Sequence, residues 1–280
     1  MNVAEAFQSL CDENAQHGIE TGVSLYVAIP DYRMRYDHNA GLEFPAVGAA
    51  EIAIAHVLAQ HCEPAWLQET TPMPIAEHDH YGKPQYESGV ANRLILQAML
   101  SAAGDSEALH NLTLQAAALD VPSKTNVTPN IAPIDLRLDA QDQPYGMTTT
   151  ALAEATARTF GVSETSVVRR VATRAMTAEF PRFGVRNAFT SRKLHTVNEA
   201  INISNLVVTN KLGILNTEDA FVRSDIGYIA DKGLVVSYAI FERGSTTGDE
   251  GEVAPAMAEN SIQLMGSIIY SFIQAKLLES

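Results

Sequence analysis

Glu43-Phe44-Pro45-Ala46-Val47-Gly48-Ala49-Ala50-Glu51-Ile52-Ala53-Ile54-Ala55-His56-Val57-Leu58-Ala59-Gln60 is the stretch that decides the fold. Pro45 stands where the first turn of a helix tolerates it, because its missing N–H has no intrahelical partner there, and Ala fills many of the next positions. A helix is therefore expected to begin at Pro45. Val47, Ala50, Ile54, Val57 and Leu58 keep the i, i+3, i+4, i+7 rule, and the positions between them are mostly Ala or Ile, so hardly any polar face remains. Such a helix is buried nearly all round. Glu51 and His56 are its ionisable residues, and a carboxylate in that setting needs a partner or a raised pKa.

At 280 residues the chain is long enough for one large domain or two intimately packed lobes, and a 46% hydrophobic content is ordinary for a globular protein. Lys and Arg number 19 against 33 Asp and Glu, and the net charge of −14 repels phosphate backbones and anionic membrane surfaces. Nucleic acid and membranes are thus excluded as partners. Cys11 and Cys62 are the only cysteines; they are read as buried thiols, outside any Cys-x-x-Cys or ligand cluster. The N-terminus has no basic region followed by an apolar one, and Glu5 appears at once, so no export signal is visible. The apolar run from Ile262 to Ile273 is interrupted by Gln263, Gly266, Ser267 and Ser271, too short and too polar to span a bilayer. A cytoplasmic protein is expected, unless the chain is a trimmed form of an exported one.

Outward from the central stretch, Val3, Phe7, Leu10 and Cys11 mark one face of a first helix that Gly18 can end. Residues Val23 to Ile29 and Tyr32 to Tyr36 read as a hairpin turning at Pro30-Asp31. Gln60 to Glu87, with four prolines and the acidic, histidine-bearing Glu77-His78-Asp79-His80, reads as loop; His-x-His without a third ligand is read as solvated, and no metal site is expected. Asn92 to Ser101 and Leu109 to Ala118 are apolar helices, and two more follow, from about Met147 and from Ser163. Val121 to Thr148 between them is irregular. Asn205 to Gly213, Val222 to Ile229 and Gly233 to Phe241 read as three strands, and a last helix from Val253 or Pro255 to Leu278 packs Met257, Ile262, Met265, Ile269, Phe272 and Ile273 on the sheet.

Phe44-Pro45 followed by a small-residue helix resembles the Phe-x-x-Ala-Ser-x-x-Lys segment of class A β-lactamases and related penicillin-recognising serine hydrolases. On that pattern the nucleophilic Ser falls on Gly48 and the Lys on Glu51. A Gly has nothing to acylate, and a carboxylate does not replace the Lys. The family's Ser-Asp-Asn motif falls on Ala103-Gly104-Asp105, which a plain inter-helix turn explains as well, with Gly104 and Asp105 as turn and cap residues. Its Lys-Thr/Ser-Gly motif falls on Lys211-Leu212-Gly213, where Lys211 and Gly213 match and Leu212 replaces the hydroxyl residue. The family's deacylating Glu has no counterpart; Asp135, Asp139 and Asp142 are the acids between Thr125 and Thr150. No Gly-x-Ser-x-Gly elbow, Gly-rich phosphate loop or His-Glu-x-x-His helix is present, so no cofactor is implied.

The resemblance implies an α/β (α+β) protein: a five-stranded antiparallel sheet, terminal helices on one face, and a helical lobe inserted between the second and third strands. The expected division is 1–42 with 200–280 as the α/β lobe and 43–199 as the helical lobe. The function read from these residues is a β-lactamase-like protein that has lost serine-hydrolase catalysis and retains ligand binding in the inter-lobe cleft or a role in assembly. The alternatives are a hydrolase using a non-standard group and a structural homo-oligomer. Glu51 and Lys211, which the pattern aims at the same point, are expected to pair, and Gly48 with Glu51, three apart on one helix face, to be the positions at which Ser-x-x-Lys would be rebuilt.

Overall fold

A computed structural model of the chain describes residues 2–29, 31–45, 47–78, 84–100, 112, 115–116, 147–160, 166–177, 183–190, 207–231, 233–247 and 253–279. The first helix, α1 (Val3–Gln16), opens on Asn2, whose side chain accepts from the Ala4 N–H, and closes at His17, with Gly18 beyond it in the left-handed region at φ +69°. β1 (Glu20–Ile29) and β2 (Tyr32–His38) form the expected hairpin. β7 (Val207–Asn216), β8 (Ala220–Asp231) and β9 (Leu234–Ser245) complete one antiparallel sheet in the order β2-β1-β9-β8-β7. The second and third strands of that sheet, in chain order, are separated by the helical insertion, as expected.

Alternation along the strands splits the interior into two cores. On one face Val23, Leu25, Val236, Tyr238 and Ile240 meet α1 and the C-terminal helix α7 (Ala254–Glu279), with the short α6 (Val185–Thr190) beside it. On the other, Val222, Ile226, Ala239 and Phe241 meet α2 (Ala49–His61), α3 (Asn92–Leu100), α4 (Thr149–Phe160) and α5 (Val167–Thr177). α2 is enclosed as its composition requires: every residue from Ile52 to Ala59 is buried.

The reading of residues 60–87 as loop is corrected. A single 3-10 turn (Pro64–Gln68) precedes a ribbon of β4 (Thr70–His78) and β5 (Pro84–Ala91), which pair with two register shifts. Prolines hide such a strand from sequence reading, yet a two-stranded ribbon outside the main sheet tolerates them, because each strand has an unpaired edge. A second small ribbon joins β3 (Glu43–Phe44) to β6 (Met147–Thr148). Cys11 and Cys62 are both free thiols; Cys11 is buried and Cys62 half-buried. Among the described residues no helix is long and apolar enough to cross a membrane, and no group of three His, Cys, Asp or Glu is placed to hold a metal. His80 and most of the expected Leu109–Ala118 helix lie outside the described residues.

Candidate functional site

β7 is the edge strand that faces the insertion. Its alternation turns Lys211 and Gly213 towards α2, and Asn210 and Leu212 towards α6 and α7. The start of α2 comes to meet it, and here the structure departs from the expectation. The helix begins at Ala49, four residues past Pro45, and Gly48 is its N-cap at φ +74°, ψ −17°, with no side-chain cap. Val47 N–H donates back to the Pro45 carbonyl at 2.7 Å, a tight turn in place of a first helical turn. Gly48 therefore stands outside the helix and does not share a helical face with Glu51.

The reason lies in the packing. A Cβ on Gly48 would come within 2.7 Å of the Leu212 carbonyl oxygen and 2.8 Å of the Gly213 nitrogen and Cα. A Cβ on Gly213 would run into the Val47 carbonyl and the Ser224 hydroxyl. Two glycines thus let backbone lie on backbone, and Ser224 Oγ fastens the seam by donating to the Val47 carbonyl at 2.6 Å. Position 48 has neither a reactive side chain nor the space for one in this arrangement.

One helical turn further on, Glu51 Oε1 lies 3.7 Å from Lys211 Nζ. Lys211 Nζ also donates to the Met99 carbonyl at 3.1 Å, an oxygen in the last turn of α3. A cation suits the C-terminal end of a helix dipole. Lys211 thereby ties β7 to α2 and to α3. Loss of solvent pushes the Glu51 carboxyl above its ordinary pKa of 4.5, and the Lys211 ammonium draws it back. Leu212, in the hydroxyl position of the motif, turns to the opposite face and packs against the core around α6 and α7. Ala103 and Asp105, like Asp135, Asp139 and Asp142, lie outside the described residues.

Behind β7 is a second polar knot that sequence reasoning missed. Asp225, fully buried on β8, accepts from Asn210 Nδ2 at 3.0 Å and Tyr238 OH at 3.4 Å on Oδ1, and from Val185 N–H at 2.7 Å on Oδ2. Burial outweighs these three donors and raises its pKa to about 7. The signal was present: an acidic residue in the middle of the apolar Val222–Ile229 run cannot be solvated, and Asn210 stands next to Lys211 on the neighbouring strand.

The arrangement can hold charge and join elements. Ser224, which brings a side-chain hydroxyl to the seam, already gives its proton to a carbonyl. No protein-family model matches the chain, and no curated protein matches it. Its fold does match solved structures over nearly its full length. A class A β-lactamase from Mycobacterium abscessus superposes with a TM-score of 0.65 at 16% identity, covering 97% of this chain and 99% of that one. The β-lactamase from Streptomyces albus G gives 0.65 at 13% identity, and one from Xanthomonas campestris 0.60 at 15%, each with the same coverage. The chain has a β-lactamase-like fold.

Proposed function

We propose that this chain uses the β-lactamase-like fold as a scaffold for ligand binding or assembly, without serine acyl transfer. The observation that carries the reading is the glycine seam: Gly48 stands where the resemblance puts the nucleophile, and its missing side chain is what lets the turn before α2 lie against Leu212 and Gly213. Acyl transfer needs an activated nucleophile beside a space for the reacting carbonyl. Neither is compatible with backbone packed at that distance. The charged pair points the same way, since Lys211 is engaged by Glu51 and by the Met99 carbonyl.

Incubation with a fluorescent penicillin followed by intact mass measurement tests the reading. Unmodified protein is expected after prolonged exposure. A covalent adduct would overturn it, and peptide mapping would then show which group reacted.

A further inference from the structure

α1 is fastened along one narrow line. Its buried residues are Val3, Phe7, Cys11 and Asn14, and Asn14 is the one polar side chain among them. That amide reaches three other elements at once: Nδ2 lies 2.9 Å from Thr21 Oγ1 on β1, 2.8 Å from Glu242 Oε1 on β9 and 3.0 Å from Ser261 Oγ on α7. Ser261 Oγ also donates to Glu242 Oε1, at 2.8 Å. Both donors are thus spent on one carboxyl oxygen. Glu242 Oε2, in the same fully enclosed place, has no hydrogen-bond partner among the described residues.

Among the described residues no cation compensates it either. Arg223, the cross-strand neighbour of Glu242 on β8, shares its face of the sheet, but its guanidinium turns to Glu259 Oε1 and Asn216 Oδ1, each at 2.9 Å, and to the Leu215 carbonyl at 3.1 Å. Glu20 and Arg243, one residue along on β1 and β9, pair with each other and alternate to the other face. From α1 the titratable group is the Cys11 thiol, which burial first and the Glu242 carboxylate second push up to about 12.

We propose that the Asn14–Glu242 junction is a latch worked by pH: α1 stays docked while Glu242 holds its proton, and swings off the sheet and α7 once the carboxylate ionises. A buried carboxylate with an unmet oxygen and no countercharge must be reached by water. β9 cannot yield, because it is the middle strand of the sheet. α1 can, since it rests on four buried side chains and joins β1 through Gly18, which has a left-handed φ of +69° and nothing within 4 Å of where a Cβ would stand. Opening uncovers the Cys11 thiol and parts the Phe7 ring from that of Tyr36, 5.2 Å away. Burial raises the Glu242 pKa from 4.5 to about 8, and solvation in the opened form returns it towards 4.5. The closed form is therefore fully favoured below the lower value, opening grows about tenfold per pH unit above it, and the growth stops near 8, where the closed form ionises as well.

Hydrogen exchange on the full chain between about pH 5 and about 9, read as protection factors so that base catalysis of exchange divides out, tests the latch. The expected result is that protection of the α1 amides falls about tenfold per pH unit relative to that of the β8 and β9 amides, and levels off near pH 8. Alkylation of Cys11 by iodoacetamide, with Cys62 as the internal reference in the peptide map, should rise over the same range. Glu242→Gln keeps the shape and cannot ionise, and in it both slopes should vanish. The comparison of α1 with β8 and β9 is made on the unaltered chain, so it decides even where that variant fails to fold. Protection of α1 that is level with pH, that falls only in step with β8 and β9, or that keeps its slope in a folded Glu242→Gln variant overturns the latch.

Discussion

Lys211 stands between the Glu51 carboxylate, 3.7 Å away, and the Met99 carbonyl, 3.1 Å away, with 2% of its side chain exposed. A buried ammonium so placed depends on both partners, and each depends on it. Removing one member of a buried pair leaves the other uncompensated and costs about 3–5 kcal/mol. Glu51→Ala and Lys211→Met are each expected to destabilise by that order. The double variant should lose less than the sum of the two, a coupling of about 1–3 kcal/mol. Urea titrations of the four proteins check it, and additive losses would show that the pair is incidental.

The glycine seam makes a sharper demand. Gly48→Ala places a Cβ against the backbone of Leu212 and Gly213 at a left-handed φ. A left-handed L-residue costs about 1–2 kcal/mol, and overpacking typically adds about 1–3 kcal/mol. Gly41, where a Cβ would meet nothing within 4 Å, is the control, and its change to Ala is expected to be nearly neutral. Gly48→Ser with Glu51→Lys meets the same obstacle. It rebuilds the residue types of Ser-x-x-Lys but not their geometry, and it adds a second cation beside Lys211. Lower thermal stability and no penicillin adduct are expected; an adduct would mean that the seam opens at little cost.

The order of elements was legible because it rests on local pattern: the 3.6-residue repeat of α1 and α7, and the apolar runs of β1, β8 and β9 set off in the sequence by Pro30-Asp31 and Asp231-Lys232-Gly233. The β4–β5 ribbon was not, because Pro72 and Pro74 read as breakers wherever the pairing partner is unknown. The start of α2 misled for a related reason. Pro45 and the alanines favour a helix locally, but contact with Gly213, far along the chain, fixes Gly48 in a conformation no helix contains. The meeting of Glu51 with Lys211 was legible from the family pattern alone, since nothing in their local sequence relates the two. Asp225 and Glu242 were legible only as acids inside apolar strands; the donors that hold them, Asn210 and Asn14 among them, are brought there by packing.

Glu242 leads to a pH prediction. It is fully buried on β9, with Asn14 Nδ2 and Ser261 Oγ each donating to Oε1 at 2.8 Å, while Oε2 has no hydrogen-bond partner among the described residues. Burial raises its pKa from 4.5 to about 8. The folded state thus holds a proton that the unfolded chain releases near 4.5, so the group's contribution is full below that pH and is lost as pH rises through about 8. Over that window each such group lowers stability by about 1.4 kcal/mol per pH unit. Glu242→Gln cannot ionise and should flatten the slope by that amount, whatever it does to stability at one pH. Denaturation midpoints between pH 5 and 8 check it, and an unchanged slope would show that Glu242 is already ionised in the fold.

Asp225 should behave in the same direction over a different window, with a partner that can be removed singly. Its pKa is raised from 3.8 to about 7, so its contribution is present below the unfolded value and lost as pH rises through about 7. The hydrogen bond from Tyr238 OH favours the ionised form and opposes burial. Tyr238→Phe removes that donor while leaving Asn210 and Val185 in place. The carboxyl should then hold its proton to higher pH, and the upper end of the unstable slope should move above about 7. Ionisation is less favourable without the hydroxyl, so the variant loses most relative to the parent at alkaline pH and least near pH 4, where the group is protonated in the fold of both proteins. Carboxyl carbon NMR of the two proteins through this range reads the midpoint directly. A midpoint that moves down on removal of the hydroxyl would mean that Tyr238 accepts from a protonated Asp225 rather than donating to its carboxylate.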